Sequence, residues 1–452
     1  MPPVTRRPAH PVPPFTRSLR SRQCSAHIVT SCVGTVYALG VNKSLIDARR
    51  ARVGVFGFFV FAGLVMGLWA AGLPSLDERL DLGPGRLGTV LLLISAGALV
   101  SMLAAGPLVD RYGSRRVCWV AGPLSALTLL GPALAPSFPA LAALAVVFGL
   151  GLGACEVAMN AHSVEVERAY GRPVISAFHG TWSLGGAAGG ALTALFLRVG
   201  VDPQLVLVVA AVVVALLYLP AARLLLPSAP AHPETASGEV RSGGGGSLTW
   251  GLIALLGLAA FAGHLSEGAA IDWAALHARW VLGTDPAAAP LAYTIFSVAM
   301  TTVRLLGDPI RARLGSVRTI QLAGLLATPG YALVLLSPLA PEALTVACAW
   351  TGWALAGVGL ATVVPVLFSA VGAAGERVGR ALALVTAFGY SGLLVGPAVL
   401  GHVADLASLP VALIIPAVLA AVVSLAGAPA IRSLLRASPP APAAPLPEPA
   451  RD

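Results

Sequence analysis

Gly, Pro and Arg divide the chain into apolar stretches, each about as long as a bilayer is thick, and no other feature limits its fold so strongly. The stretches cover approximately residues 51–74, 86–109, 116–135, 139–163, 174–199, 203–226, 248–274, 288–311, 318–337, 342–370, 380–403 and 408–433. A helix needs roughly 20 apolar residues to cross the hydrocarbon core. Hydrocarbon offers the backbone no hydrogen-bond partner, so each N–H and C=O must be satisfied within its own segment, as a helix does. A membrane barrel would show short segments of alternating hydropathy, and none is present. The sequence therefore predicts an all-α integral membrane protein with twelve transmembrane helices. Composition agrees: with 57% hydrophobic and 11% charged residues and a mean hydropathy of +0.83, too little charge remains to wet a soluble surface.

Three segments fall outside this pattern. Residues 1–50 are basic and Pro-rich and lack the continuous apolar core of a signal peptide, so they read as a disordered cytoplasmic arm. Residues 227–247, PSAPAHPETASGEVRSGGGGS, have linker composition. Residues 434–452 form a Pro/Ala-rich tail that reads as disordered. What remains is two six-helix halves, 51–226 and 248–433. They share matching pieces: SAFHGTWSLGG from Ser176 resembles TAFGYSGLLVG from Thr386. A six-plus-six pseudo-repeat places a binding site between the halves, near the bilayer midplane.

The net charge of +9 does not indicate a nucleic-acid partner, because the basic residues lie in short loops between apolar spans, the pattern of topology determinants. With the N-terminus inside, only Arg79, Arg86, Arg198 and Arg279 fall on the outer side and Arg304 within a span. Both termini are thus expected in the cytoplasm. Lys43 is the only lysine, a usage that suggests a GC-rich bacterial gene and hence a bacterial cytoplasmic (inner) membrane. Cys24, Cys32, Cys118, Cys155 and Cys348 show neither paired nor metal-ligand spacing, and no metal or cofactor is expected. Motifs for a zinc protease, a nucleophile elbow or a phosphate loop are absent, so an enzyme is not expected.

Between the second and third spans lies GPLVDRYGSRR, residues 106–116. It resembles the signature loop of the major facilitator superfamily at Gly106, Leu108, Asp110, Arg111, Gly113 and Arg115, with Ser114 where a basic residue is usual. Gly113 permits a tight turn and Asp110 can accept hydrogen bonds from a neighbouring helix end or Arg, joining the halves in one state and releasing them in another. The loop after the eighth span, GDPIRARLGSVR, keeps Gly307, Arg313 and Gly315 of the same pattern. The resemblance implies the major facilitator fold and transport by alternating access.

Polar residues inside the spans are the candidate site. On the fourth span Gly149, Gly153, Glu156 and Asn160 share one stripe, and the glycines turn it towards protein. An ionised carboxylate there is costly, so Glu156 can load and release a proton, or it is a structural Glu tied to a neighbouring helix. Asn160 can bond Glu156 or a substrate hydroxyl. The pattern G-x-x-E-x-A-x-N from Gly153 to Asn160 resembles the fourth span of the fucose:proton symporter branch, where the Glu is implicated in proton coupling. Those symporters carry an acidic residue shortly before a Pro in their first span, and no charge precedes Pro74 in this chain.

The fifth span aligns His179, Ser183, Gly186, Gly190 and Thr193, with Trp182 beside them. His179 is either a site residue or a satisfied structural histidine, and Trp182 either faces a substrate or packs. On the seventh span His264 and Glu267 are neighbours, Glu267 being a second proton or substrate candidate, while Asp272 and Trp273 suggest an interface or gate. The eighth aligns Tyr293, Ser297, Thr301, Arg304 and Asp308. A buried Arg needs a partner, and Asp308 is the local one; an Arg304 that faced the cavity would favour an anionic substrate. The expected function is secondary active transport of a small polar organic solute, sugar-like or an organic anion, coupled to protons, by a monomer in the lipid bilayer. Drug or metabolite efflux is the alternative within transport, and a membrane-embedded enzyme or a nontransporting sensor the alternative outside it.

Overall fold

The computed structural model describes the backbone of residues 20–172, 174–227, 249–372 and 378–437, and the side chains of these from residue 46 onward except 307–310, 372–380 and 382–383. Every regular element among them is helical. The first half contains α1 (Arg20–Leu80), α2 (Gly83–Tyr112), α3 (Ser114–Leu127), α4 (Leu130–Leu134), α5 (Phe138–Tyr170), α6 (Ile175–Arg198) and α7 (Pro203–Leu224). The second contains α8 (Trp250–Leu276), α9 (Pro290–Leu336), α10 (Glu342–Leu360), α11 (Val363–Gly372), α12 (Val378–Leu406), α13 (Leu409–Val422) and α14 (Ala428–Ala437). α1 begins at Arg20 and so takes in residues 20–50 of the expected arm. Residues 1–19, most of the expected linker and the tail beyond Ala437 lie outside the described residues.

These helices supply the twelve spans. α3 with α4, α10 with α11, and α13 with α14 each make one span, and α9 makes two. Ten helical segments are long and apolar enough to cross a membrane. The other two spans are α6 and the start of α9, Pro290–Leu306, a shorter apolar helix. α6 is diluted by glycines and hydroxyls, and it faces α9. The site is built on the two spans least suited to lipid.

α9 turns sharply at Gly315, where φ is 74° and ψ 160° inside an otherwise helical run. Gly113, between α2 and α3, has φ 83° and ψ 145°. The two signature loops thus share one backbone turn in the left-handed region that favours glycine, which is the pseudo-repeat expressed as geometry.

The halves meet along two helix pairs, α6 with α9 and α2 with α12. Both contacts depend on missing side chains. A Cβ on Gly88 would come within 2.8 Å of the Gly401 Cα, and one on Gly180 within 2.8 Å of Leu305 Cδ2. Without apolar transfer to drive association in lipid, such close backbone approach supplies the packing.

Candidate functional site

Arg304 is the centre of the polar interior. Its Nη2 donates to Glu267 Oε1 on α8 at 2.8 Å, and its Nη1 donates to Ser183 Oγ on α6 at 2.7 Å. Glu267 and Arg304 expose only 11% and 13% of their side chains, so this is a buried ion pair within the second half, and the Ser183 bond joins it to the first. Nε makes a longer bond of 3.4 Å to the Ala361 carbonyl. That carbonyl is free because Pro365, four residues on, has no N–H to offer it. The α10–α11 break and the Arg site are therefore one feature. The sequence suggested Asp308 as the local partner; among the described residues Arg304 pairs with Glu267, to which α8 and α9 bring it. The Asp308 side chain lies outside those described.

The polar stripes of α6 and α9 face each other in antiparallel order. Ser183 meets Arg304, and at successive levels Gly186 meets the Tyr293 hydroxyl and Gly190 meets Thr294. His179, half-buried on the same stripe, stands edge-on to Phe59 at 5.1 Å and within electrostatic range of both Arg304 and Glu267. Trp182 is half-buried, with its backbone against Gly63 of α1.

His264 lies one turn before Glu267 on α8. Its Nδ1 is 3.0 Å from the Ala260 carbonyl, and its ring packs 5.4 Å from Tyr390 of α12. Tyr390 is 44% exposed. Sequence reasoning passed over it, although it sits in the second copy of the α6 motif. Asn160 donates to Glu156 Oε1 at 2.9 Å and also to the Glu156 carbonyl. Glu156 and Asn160 thus satisfy one another on α5, while Gly149 and Gly153 seat that helix against Ile94 and Ala98 of α2. Among the described residues no hydrogen bond or ion pair joins Glu156 to Arg304, so the interior holds two polar centres.

Two further sets of contacts lie at the ends of the bundle. Where α1 ends and α8 passes into the π-helical turn His277–Val281, Arg279 Nε donates to Glu78 at 2.5 Å and Trp280 Nε1 donates to Asp77 at 2.9 Å. These bonds tie the halves together. Asp77 also accepts from Gly83 N, which fixes the α1–α2 turn. At the opposite end Asp110 and Arg111 of the signature loop are exposed, Arg115 is half-buried, and a Cβ on Gly106 would meet nothing within 4 Å. Ser114, the departure from the motif, is fully buried and lies 2.8 Å from His162 Nδ1. Glu167 accepts from Val174 N and Ile175 N and so caps α6.

No cluster of His, Cys, Asp or Glu among the described residues has the makings of a metal site. Cys118 and Cys155 are buried and Cys348 is half-buried, all as free thiols.

The family model for the Major Facilitator Superfamily matches residues 54–373. An uncharacterized transporter of Sinorhizobium fredii is 35% identical over 380 residues, covering 82% of this chain and 96% of its own. An uncharacterized MFS-type transporter of Yersinia pestis is 33% identical over 355 residues, covering 78% of this chain and 89% of its own. Among solved structures, the D-xylose–proton symporter superposes with a TM-score of 0.67 at 16% identity, covering 84% of this chain and 96% of its own.

Proposed function

We propose, from the premise that this chain belongs to the Major Facilitator Superfamily, that it carries a small polar organic solute across the bacterial cytoplasmic membrane by alternating access, coupled to protons through Glu267 and Arg304. A multi-pass membrane transporter follows from the family. The solute class, the proton and the inside location of both termini are our reading.

The observation that carries it is the hold on Arg304, by Glu267 from one half and Ser183 from the other. Protonating Glu267 removes the countercharge of a buried Arg. Breaking a buried pair in this way costs about 3–5 kcal/mol. Moving a two-state population from 1:99 to 99:1 takes about 5.5 kcal/mol. One proton at Glu267 is thus of the right size to bias the two faces of the carrier. A solute that gives Arg304 a replacement partner offsets that cost, which couples solute to proton. Because ionised Arg304 and Glu267 sum to zero charge, the ionised pair suits a neutral polyol, and the protonated pair an organic anion.

The two bundle ends support alternating access. The Asp77–Trp280 and Glu78–Arg279 contacts close one end, while the signature loop is exposed at the other. With the basic loops inside, the latched end is the outer one.

The test is proton flux in proteoliposomes containing a pH dye, screened with sugars, sugar acids and small organic anions. A solute-dependent pH change that Glu267→Gln abolishes and Glu156→Gln leaves in place supports the reading. A change lost in Glu156→Gln and retained in Glu267→Gln moves the proton site to α5.

A further inference from the structure

The strongest feature left unused is a carboxyl on α8 with nothing to balance it. Asp272 is 8% exposed, and its neighbours Ala269, Ala270, Ile271 and Trp273 through Leu276 are all buried. The ion pairs among the described side chains, His162–Glu165, Arg279–Glu78 and Arg304–Glu267, leave it out. No hydrogen-bond donor among the described residues reaches its oxygens. A charged carboxylate so placed would have little water and no countercharge, whereas a protonated one loses only ordinary hydrogen bonding.

Its surroundings form a polar seam towards Arg304. Tyr293 of α9, 1% exposed, sits one turn before Ser297 and turns its hydroxyl towards Gly186 of α6. Ser297 and Thr301, 4% and 5% exposed, continue the same face of α9 to Arg304. The nearest charged groups along its own chain are Glu267 on α8 and Arg279 in the π-helical turn. Arg279 is committed to Glu78. Along the helix axis, Asp272 lies about 7.5 Å past Glu267 and about 10.5 Å before Arg279.

We propose that Asp272 is a second proton-binding site of this chain, neutral while the Glu78–Arg279 end is closed and able to exchange its proton with water when that end opens. On opening, the carboxyl O–H breaks, the proton passes to an entering water and the carboxylate is solvated; closing requires the proton to return. Its role in transport rests on the proton-coupled reading above, but the presence of a proton on Asp272 in the closed state does not.

Infrared spectroscopy of the purified protein in nanodiscs tests this without a substrate. At neutral pH the protein should show a protonated-carboxyl C=O band that Asp272→Asn removes. Because that variant can fail to fold, carbon-13 labelling of aspartate in the unmutated chain gives a second readout, and the same band should shift. No label-sensitive carboxylic-acid band at neutral pH overturns the assignment. In Glu78→Gln/Arg279→Gln, with the end unlatched, the band should fall at neutral pH and return on acidification; an unchanged band overturns the gating. A flux screen that finds no solute counts against the proton-coupled reading alone, and a missing infrared band against Asp272 alone.

Discussion

The hydroxyl of Ser114 and Nδ1 of His162 lie 2.8 Å apart although 48 residues separate them in sequence. His162 is fully buried, and its Nε2 accepts from Leu226 N at 3.1 Å. The proton therefore belongs on Nδ1, which donates it to Ser114 Oγ. This contact fastens the signature loop to α5 and to the end of α7, and it gives the one departure from the motif a reason.

Restoring a basic residue by Ser114→Arg should therefore destabilise the protein, since the new charge enters a fully buried position. Ser114→Ala should cost about 1 kcal/mol by removing the nearer acceptor of His162 Nδ1, with Glu165 Oε2 left at 3.5 Å. Thermal unfolding in detergent reads both, and an unchanged midpoint for Ser114→Arg would sink the structural reading of this contact.

The Arg304–Glu267 pair should be strongly non-additive. Glu267→Gln leaves a buried guanidinium without its countercharge and should cost about 3–5 kcal/mol, while Glu267→Gln/Arg304→Met should be milder than that single change. A double-mutant cycle on unfolding midpoints measures the difference. Additive effects would mean the two side chains do not pair.

Pro365→Ala supplies an N–H to the Ala361 carbonyl that Arg304 Nε now uses. The direct loss should be small, about 1 kcal/mol. The larger effect should fall on transport, as Arg304 loses one of its three holds and the α10–α11 break straightens. Solute flux should drop while the unfolding midpoint moves little, and unchanged flux would show that the break is incidental to the site.

At the latched end the Arg279–Glu78 pair is only half-buried, at 31% and 46% exposure, and such pairs contribute about 0.2–1 kcal/mol. Glu78→Gln should leave stability nearly unchanged. It should still shift the open and closed populations up to about fivefold, since 1.4 kcal/mol is a factor of ten. Spin-label distances between the ends of α1 and α8 report the shift. Trp280→Phe, which removes the donor to Asp77, should act in the same direction, and unmoved distances in both variants would deny these contacts a gating role.

Much of the fold was legible because lipid imposes a simple rule on sequence. All twelve apolar stretches return as helical spans, and the repeat seen in residues 176–186 and 386–396 returns as equivalent helices α6 and α12. The polar stripe on α6 and the one on α9 were each readable from helical periodicity. Their mutual approach was not, because periodicity assigns a residue to a face without saying which helix covers it. Sequence could offer Arg304 only Asp308, the acid one turn away, whereas the pairing seen among the described residues is with Glu267 on another helix. Tyr390 escaped notice for the same reason, as an aromatic in an apolar span carries no local sign of the histidine it meets on α8.

What the sequence determined by itself is the membrane, the helix count, the two halves and the glycine turns of the signature loops, all of them set by local hydropathy and backbone sterics. What only the tertiary structure decided is which polar groups satisfy one another: Arg304 with Glu267 and Ser183, Ser114 with His162, and Asp272 with none among the described residues. Such pairings depend on how rigid helices cross at close glycine contacts, where a shift of one turn, about 5.4 Å along the axis, exchanges one partner for another.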